Sequence, residues 1–459
     1  MRIVIDLQAL QTGSRFRGVG RYVMGLTQGF IRNKGSHEIF LMVNGSLTES
    51  AQAIDHAFSG LLPPESIIRW YSPLPLKYFD PNGPEHQEVG GILQAYRILE
   101  LHPDIVLYGT LLADFTEDIA YNFSILKKYT RLALVFYDFL PYQNPDLYLG
   151  GIHSQLYAHY MDVFNQLQYI DIFFSISNYV KKELQKILQH GEAKTIFSDT
   201  DAQFRIISTT DDERKHFLNK LQIKDNFILY TGGNDERKNV SALLEAYQNL
   251  PSTIKDQFQL IIVEGKNRST YDAKYTQDEN IHFLGYISDN DLVLLYNYCK
   301  LFVFPSLEEG FGLTPLEAMR CGAAVIASNT TSLPEVIGCE EALFDPHNIT
   351  HLTLKIQQAL TDEAFKNRIF TAEQIQQKKF SWDNSACLAI NTIEHLSTNP
   401  IIKLNNPAYE MAQQALKSIY QNENKYQNMV HYLEKTFKAI SSGIESKLVS
   451  KSLREASLN

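Results

Sequence analysis

Short apolar runs alternate with stretches of helical periodicity along most of the chain. Arg2–Asp6 (RIVID) reads as a first strand. Tyr22, Val23, Leu26, Phe30 and Ile31 then recur at the spacing of one helix face. Ile105–Tyr108, Leu132–Tyr137 and Ile172–Ser175 predict further strands, and Asn178–Gln189 a helix. A second series opens with a strand at Phe227–Thr231. A helix over Val240–Leu250 follows, with Leu243, Leu244, Tyr247 and Leu250 on one face. Leu260–Val263, Ile281–Phe283, Leu301–Phe304 and Ala324–Ala327 continue as strands, with helices at Asp289–Tyr298 and Pro315–Arg320 between them. Wholly apolar strands alternating with helices predict an α/β fold whose parallel sheets are covered on both faces.

The polar stretch Thr209–Lys215 (TTDDERK) reads as a connector between the two series and puts the boundary near residue 205. Residues 1–205 and 206–380 are then two α/β domains, and residues 381–397, opening at Phe380-Ser381-Trp382, read as a final helix. Residues 398–459 are helix-rich, mildly basic and without strand signals. The hydrophobic stripe of this tail is modest. Packing on the body or in an oligomer is its plain reading, and a partner protein or a membrane surface the other.

Composition narrows the function classes. At 44% hydrophobic and 20% charged residues, the chain is ordinary globular material, and disorder of the whole is excluded. A net charge of −10 disfavours a protein that tracks nucleic-acid phosphates. Cys299, Cys321, Cys339 and Cys387 have no paired spacing, so neither a zinc site nor a disulfide framework is expected, only reduced and mostly buried thiols. Asp6 breaks the opening apolar run, which argues for a strand and against a signal peptide. No stretch reaches the length of apolar residues that spans a bilayer. A cytoplasmic protein, at most peripheral at the inner face of the membrane, is expected.

Chemistry concentrates in Pro305–Gly322 (PSLEEGFGLTPLEAMRCG), which follows a strand and opens a helix. Gly310 and Gly312 permit close backbone approach to a ligand, Pro315 suits a first helical position and Gly322 a helix stop. A helix N-terminus behind a glycine loop favours an anion such as a phosphate. Taken alone, Glu317 is the far end of a capping box, Thr314-x-x-Glu317, and Glu309 a solvated loop carboxylate. Together, at the end of a strand, they could accept hydrogen bonds from sugar or ribose hydroxyls. A second cluster, Tyr230–Asn239 (YTGGNDERKN), carries Gly232 and Gly233 and then Arg237 and Lys238 just before a helix. Two cations there would neutralise a diphosphate and its developing leaving-group charge. Asp199-x-Asp201 and Asp289-x-Asp291 match a metal-holding spacing, but Asp289 reads as a helix cap and Asp199 as a polar loop residue, so no metal is expected.

The Glu309-to-Glu317 segment, with FVFPS before it and LPE after it, resembles the E-x7-E segment of retaining GT-B glycosyltransferases of glycosyltransferase family 4. That resemblance implies two Rossmann-like domains facing a cleft, with a helical C-terminal extension. It implies that Glu309 contacts the donor sugar, that Glu317 binds the nucleotide ribose, and that the amides of Phe311, Gly312 and Leu313 face the donor sugar and diphosphate. Lys238 aligns with the family's diphosphate-binding lysine. The family's arginine position falls on Gly233, leaving Arg237 as the neighbouring substitute. Tyr286 and Ile287 fall where the base is bound. Gly18 and Gly20, in RGVGRY, inherit a cleft-lining role, and Arg21 either shares it or merely begins a helix. Tyr137 stands where many members have a histidine, which puts imidazole chemistry there in doubt. Asp138 is a sheet-end acceptor or a residue that binds the acceptor substrate.

The opening IDLQALQTGSRFRGVGRY is also similar to bacterial O-antigen mannosyltransferases. The implied function is transfer of a sugar from a nucleotide-diphosphate donor, GDP-mannose first and a UDP-sugar next, to a glycan or lipid-linked acceptor in polysaccharide biosynthesis. The nucleotide sugar is a substrate, and no cofactor is expected. The alternatives are a non-catalytic scaffold or partner subunit, and a phosphorylase-like use of the fold.

Overall fold

The computed structural model describes residues 1–233, 235–263, 271 and 273–396; the tail expected over 398–459 lies outside the described residues. The chain divides into two compact units. Among the described residues, one comprises Met1–Ser175, Glu183–Ile196 and Trp382–Leu396; the other comprises Ile176–Lys182 and Phe197–Ser381.

The first unit carries strands β1 (Arg2–Asp6), β2 (Glu38–Asn44), β3 (Ile67–Trp70), β4 (Ile105–Tyr108), β5 (Arg131–Phe136), β6 (Ile172–Ser175) and β7 (Glu192–Thr195). They form one sheet in the order β3-β2-β1-β4-β5-β6-β7, and every pairing is parallel. The second unit carries β8 (Phe227–Thr231), β9 (Gln259–Val263), β10 (Ile281–Leu284), β11 (Leu301–Phe304), β12 (Val325–Ser328) and β13 (Leu343–Phe344). Their order is β10-β9-β8-β11-β12-β13, again all parallel. Both orders are Rossmann-like. Each reverses once, between β1 and β4 and between β8 and β11. That reversal opens a crevice at the carboxyl ends of the strands, where ligands of such sheets bind.

Four of the central strands bury every residue. Helices cover both faces of a parallel sheet, and β4, β6, β8 and β11 have no exposed position. The predicted runs fall on these strands, with ends shifted by a residue: β5 stops at Phe136, not Tyr137, and β12 runs from Val325. The connector expected at Thr209–Lys215 is a helix start instead. Thr210 caps the helix Asp211–Lys220 through a capping box with Glu213, wholly inside the second unit. The cysteines are free thiols; Cys299 and Cys321 are buried, but Cys387 is exposed. Among the described residues, no helix is long and apolar enough to cross a membrane.

The helix Trp382–Leu396 packs on the helix Gly18–Arg32 of the same unit. Gly25 and Gly29 make room for it: a Cβ on Gly25 would lie 2.3 Å from Trp382 Cε2, and one on Gly29 2.6 Å from the Trp382 carbonyl oxygen. The Trp382 ring meets Tyr22 edge-on at 5.0 Å. Arg32 and His37 pair with Asp383 and Glu394 across the same contact.

Asp6 closes β1 and is buried. Its carboxylate accepts from the Gln8 backbone N–H at 3.2 Å and from the side-chain amides of Gln8 and Gln94, the latter at 2.8 Å. Burial outweighs these donors and pushes its pKa from 3.8 up to about 7. A raised folded pKa means stability that is complete below the unfolded value and declines as pH rises through about 7. Asp6→Asn cannot ionise. Between about pH 5 and about pH 8 the Tm difference between variant and wild type should therefore move in the variant's favour. Parallel Tm curves over that range would refute the assignment.

Candidate active site

Because β8 and β11 are neighbours, the loops that leave their carboxyl ends meet. After β8 the chain turns through Gly232 and Gly233, at φ 141° and 84°, and the Tyr230 hydroxyl donates to the Gly233 carbonyl at 2.7 Å. A single helical turn, Glu236–Lys238, follows. Asn239 then sits in the left-handed region at φ 55° and opens the helix Val240–Gln248. Its side-chain amide donates to the carbonyls of Pro305 (3.2 Å) and Pro346 (3.0 Å), and the Leu307 N–H donates to the Arg237 carbonyl (2.7 Å). These bonds tie the cation-bearing turn to the loop Pro305–Gly312.

The tie delivers two cations to one carboxylate. Lys238 Nζ donates to Glu309 Oε1 at 2.7 Å, and Arg237 Nη1 lies 3.2 Å from Oε2. Ser306 Oγ donates to the same Oε1 at 2.7 Å. Arg237 also reaches the Glu308 carbonyl at 3.0 Å and the Asp235 carboxylate at 3.2 Å. The Lys238 and Glu309 side chains are only 9% and 12% exposed, so solvent screens this pair little. Burial of Glu309 opposes its ionisation, but Lys238, Arg237 and Ser306 outweigh it and hold the carboxyl below its ordinary range. The Lys238 ammonium also lies 5.2 Å from the centre of the Phe304 ring.

The helix beyond this loop begins at Leu313 and runs to Arg320. Gly312, at φ 119°, occupies the cap position, and no side chain caps the end. The capping box expected from Thr314 is therefore absent, because both residues lie inside the helix; Pro315 stands third in it, not first. Gly322, at φ 84°, follows the last turn as its sequence context suggests. Glu317 is buried, and its carboxylate accepts from the Tyr296 hydroxyl at 3.3 Å. That hydroxyl is in turn 2.8 Å from Thr231 Oγ1 at the end of β8. Glu317 is thus anchored behind the loop, and the uncapped amides of Leu313 and Thr314 head the helix. Phe311 is buried, whereas Tyr286, after β10, is 86% exposed beside the half-buried Ile287.

Asp199 accepts from Arg320 Nη2 at 2.8 Å, so this polar-loop residue forms an ion pair. Ser288, not Asp289, caps the helix Asp289–Tyr298.

The other candidates belong to the first unit. Gly18 opens the helix Gly18–Arg32, with Arg21 half-buried in its first turn. Gly20 must be glycine for steric reasons: a Cβ there would lie 2.6 Å from Arg15 Cα and from the Ser14 carbonyl oxygen. The Tyr137 hydroxyl donates to the Gly109 carbonyl at 2.9 Å, and its ring meets Tyr22 edge-on at 5.6 Å. Burial, with Tyr22 and Asp114 adding to it, raises its pKa well above the ordinary value, so it is no base. Asp138 Oδ1 accepts from the Leu140 N–H at 3.0 Å, a local turn bond. A cavity of about 110 Å³ lies beside these two residues, lined also by Leu111, Leu112, Phe136 and Pro141.

Four further residues organise these groups without being apparent in the chain. Ser306 and Asn239 fix the cation–carboxylate cluster, and Tyr296 fixes Glu317. Asp114 is buried and accepts from the hydroxyls of Thr12 and Ser14, pinning the loop that leads into Gly18. Only Ser306 has a sequence signal, its place three residues before Glu309.

Residues 211–376 match the family model described as "Glycosyl transferases group 1". This group 1 segment holds the whole Lys238–Arg237–Glu309 cluster and Glu317. The wider chain is 32% identical over 409 residues to the serotype-specific mannosyltransferase WbdA of Escherichia coli, covering 86% of this chain and 48% of that protein. It is 29% identical over 316 residues to O-antigen chain mannosyltransferase B of Escherichia coli, covering 66% of this chain and 80% of that protein. The chain spans about half the length of the WbdA relatives it matches. HepE from Anabaena, solved with UDP and glucose, superposes with a TM-score of 0.61 at 16% identity, covering 86% of this chain and 100% of that one. Likeness at that identity is one of fold, and the fold class is GT-B: two Rossmann-like α/β domains, the second of them containing the whole group 1 segment.

Proposed function

We propose that this chain is a retaining glycosyltransferase that moves a sugar from a nucleotide-diphosphate donor to a glycan or lipid-linked acceptor in O-antigen-type polysaccharide synthesis, at the cytoplasmic face of the membrane. The observation that carries this reading is the pairing of Lys238 and Arg237 with Glu309 where the β8 and β11 loops meet. In it, the donor diphosphate lies against Lys238 and Arg237 and the open amide end at Gly312 and Leu313. Glu309 takes the sugar hydroxyls, Glu317 the ribose, and Tyr286 and Ile287 the base. Charge on the departing diphosphate is met by two fixed cations and a helix N-terminus, so the reading requires no metal. Among the described residues, this reading assigns no dedicated nucleophile. The leaving phosphate itself then helps deprotonate the acceptor, on the face from which it departs. The names of the relatives favour mannose as the sugar, with GDP-mannose the first donor to test and UDP-sugars the next.

A second reading, a non-catalytic scaffold that binds a nucleotide sugar, has two observations in its favour. Tyr137 is tied to Gly109, and Gly233, with no side chain, stands where the family has an arginine.

The test is thermal stability with GDP, UDP, ADP and CMP. A ligand at about 100 times its Kd stabilises by roughly 2.7 kcal/mol, a shift of a few degrees for a protein this size. One nucleoside diphosphate should shift Tm, and its sugar conjugate should then turn over. No shift with any of the four would sink the donor site; a shift without turnover would favour the scaffold.

A further inference from the structure

β12 (VIAS) runs into the sequence Asn329-Thr330-Thr331-Ser332, three consecutive hydroxyl side chains before Leu333. Thr331 has φ 51°. A β-branched residue is a genuine outlier in the left-handed region, where its Cβ crowds the following carbonyl; glycine or asparagine adopts that conformation at far lower cost. Elsewhere this chain uses such residues where a positive φ is needed at the site: Gly232, Gly233, Asn239 and Gly312. At position 331 it does not, and strained residues of this kind concentrate at functional sites.

What threonine provides and glycine cannot is an oxygen. The Glu309 N–H donates to Thr331 Oγ1 at 3.1 Å. The flanking hydroxyls grip the same loop. Thr330 Oγ1 donates to the Ser306 carbonyl at 3.3 Å, and the fully buried Ser332 Oγ lies 2.8 Å from the Glu309 carbonyl oxygen and 2.6 Å from that of Phe311. Both ends of the Glu309 backbone are therefore held from the β12 loop, while its carboxylate is held by Lys238, Arg237 and Ser306. We propose that Thr331 is a positioning residue, kept in a strained conformation so that its hydroxyl fixes the Glu309 peptide and with it the carboxylate. The catalytic part of this proposal rests on the glycosyltransferase reading; the structural part does not.

The test compares Thr331→Gly, which relieves the conformation but removes the hydroxyl, with Thr331→Ser, which keeps the hydroxyl. Three quantities are read in the full chain: Tm, amide hydrogen exchange of the peptide containing Glu309, and steady-state transfer from the nucleotide sugar. Thr331→Gly should melt within about 3 °C of the wild type. Its Glu309 amide should exchange roughly tenfold faster or more. Its kcat should fall about tenfold or more while the donor KM stays within about threefold. Thr331→Ser should restore the slow exchange and most of kcat. Wild-type exchange in Thr331→Gly overturns the proposal, as does a serine variant impaired as much as the glycine one. A wild-type protein that transfers no sugar removes the enzyme reading instead, and the exchange data still decide the role of Thr331.

Discussion

Lys238→Ala is expected to lower sugar transfer by roughly a hundredfold to a thousandfold while the protein keeps its fold. The magnitude is that of deleting one fixed charge aimed at a developing anion in a site shielded from water. The fold survives because the change strands no charge. Glu309 keeps Arg237 at 3.2 Å on one oxygen and Ser306 at 2.7 Å on the other. The reciprocal substitution is different. Glu309→Ala leaves Lys238 buried without its partner, an arrangement that costs about 3–5 kcal/mol when a buried pair is broken. Glu309→Gln, which keeps the shape and the Ser306 contact, is the cleaner variant and should cost turnover on the same scale. Steady-state turnover with the nucleotide sugar, alongside Tm, checks both. Turnover near the wild-type level in both variants would remove Lys238 and Glu309 from the site. Glu309 lies below its ordinary pKa, so the contribution of its pairing is present above about pH 4.3 and is lost only as pH falls through the lower folded value. A change in activity around neutrality must then come from another group.

A substantial loss of stability is expected from Gly25→Ala. A methyl group there would sit 2.3 Å from Trp382 Cε2, 2.5 Å from Nε1 and 2.7 Å from Cδ2. Alanine gains about 1 kcal/mol of helix propensity over glycine. Forcing a group into a packed contact costs about 1–3 kcal/mol and more where the neighbour cannot turn away. Trp382 cannot: it is 8% exposed, set edge-on to Tyr22, whose hydroxyl is itself bound to the Ile196 carbonyl at 2.7 Å. Overpacking wins, with a net loss of about 2–3 kcal/mol and a Tm lower by several degrees. A double variant with Trp382→Leu should lose less than the sum of the two single changes, since the smaller side chain vacates the overlap. Additive losses would mean that the two residues do not meet.

The chain declared its fold class through its strands. β4, β6, β8 and β11 are legible because a strand buried on both faces is apolar at every position, and a run of that kind needs no partner to be recognised. β7 (EAKT) is not legible: it lies at a sheet edge with partly exposed residues, so nothing demands an apolar run. The helix stop at Gly322 was equally local. The start of that helix was not, because a glycine at φ 119° took the cap and made Thr314-x-x-Glu317 an internal pair. Thr210 and Glu213 carry the same type of motif and do form the box; the four-residue pattern alone cannot tell the two cases apart.

Residue types in the candidate site were likewise visible in the chain: a carboxylate, two cations and a glycine loop, each beside a strand end. Their meeting was not. Lys238 and Glu309 are 71 residues apart, and they touch because β8 and β11 are neighbours in a sheet whose order follows from non-local packing. The same adjacency recruits Ser306, Asn239 and the β12 hydroxyls, whose role depends on directions and on a backbone angle that composition does not encode. Local pattern reports which surfaces are buried and with what period, and that suffices for elements and class. Which charges are paired depends on which strand ends are adjacent, and only the folded sheet decides that.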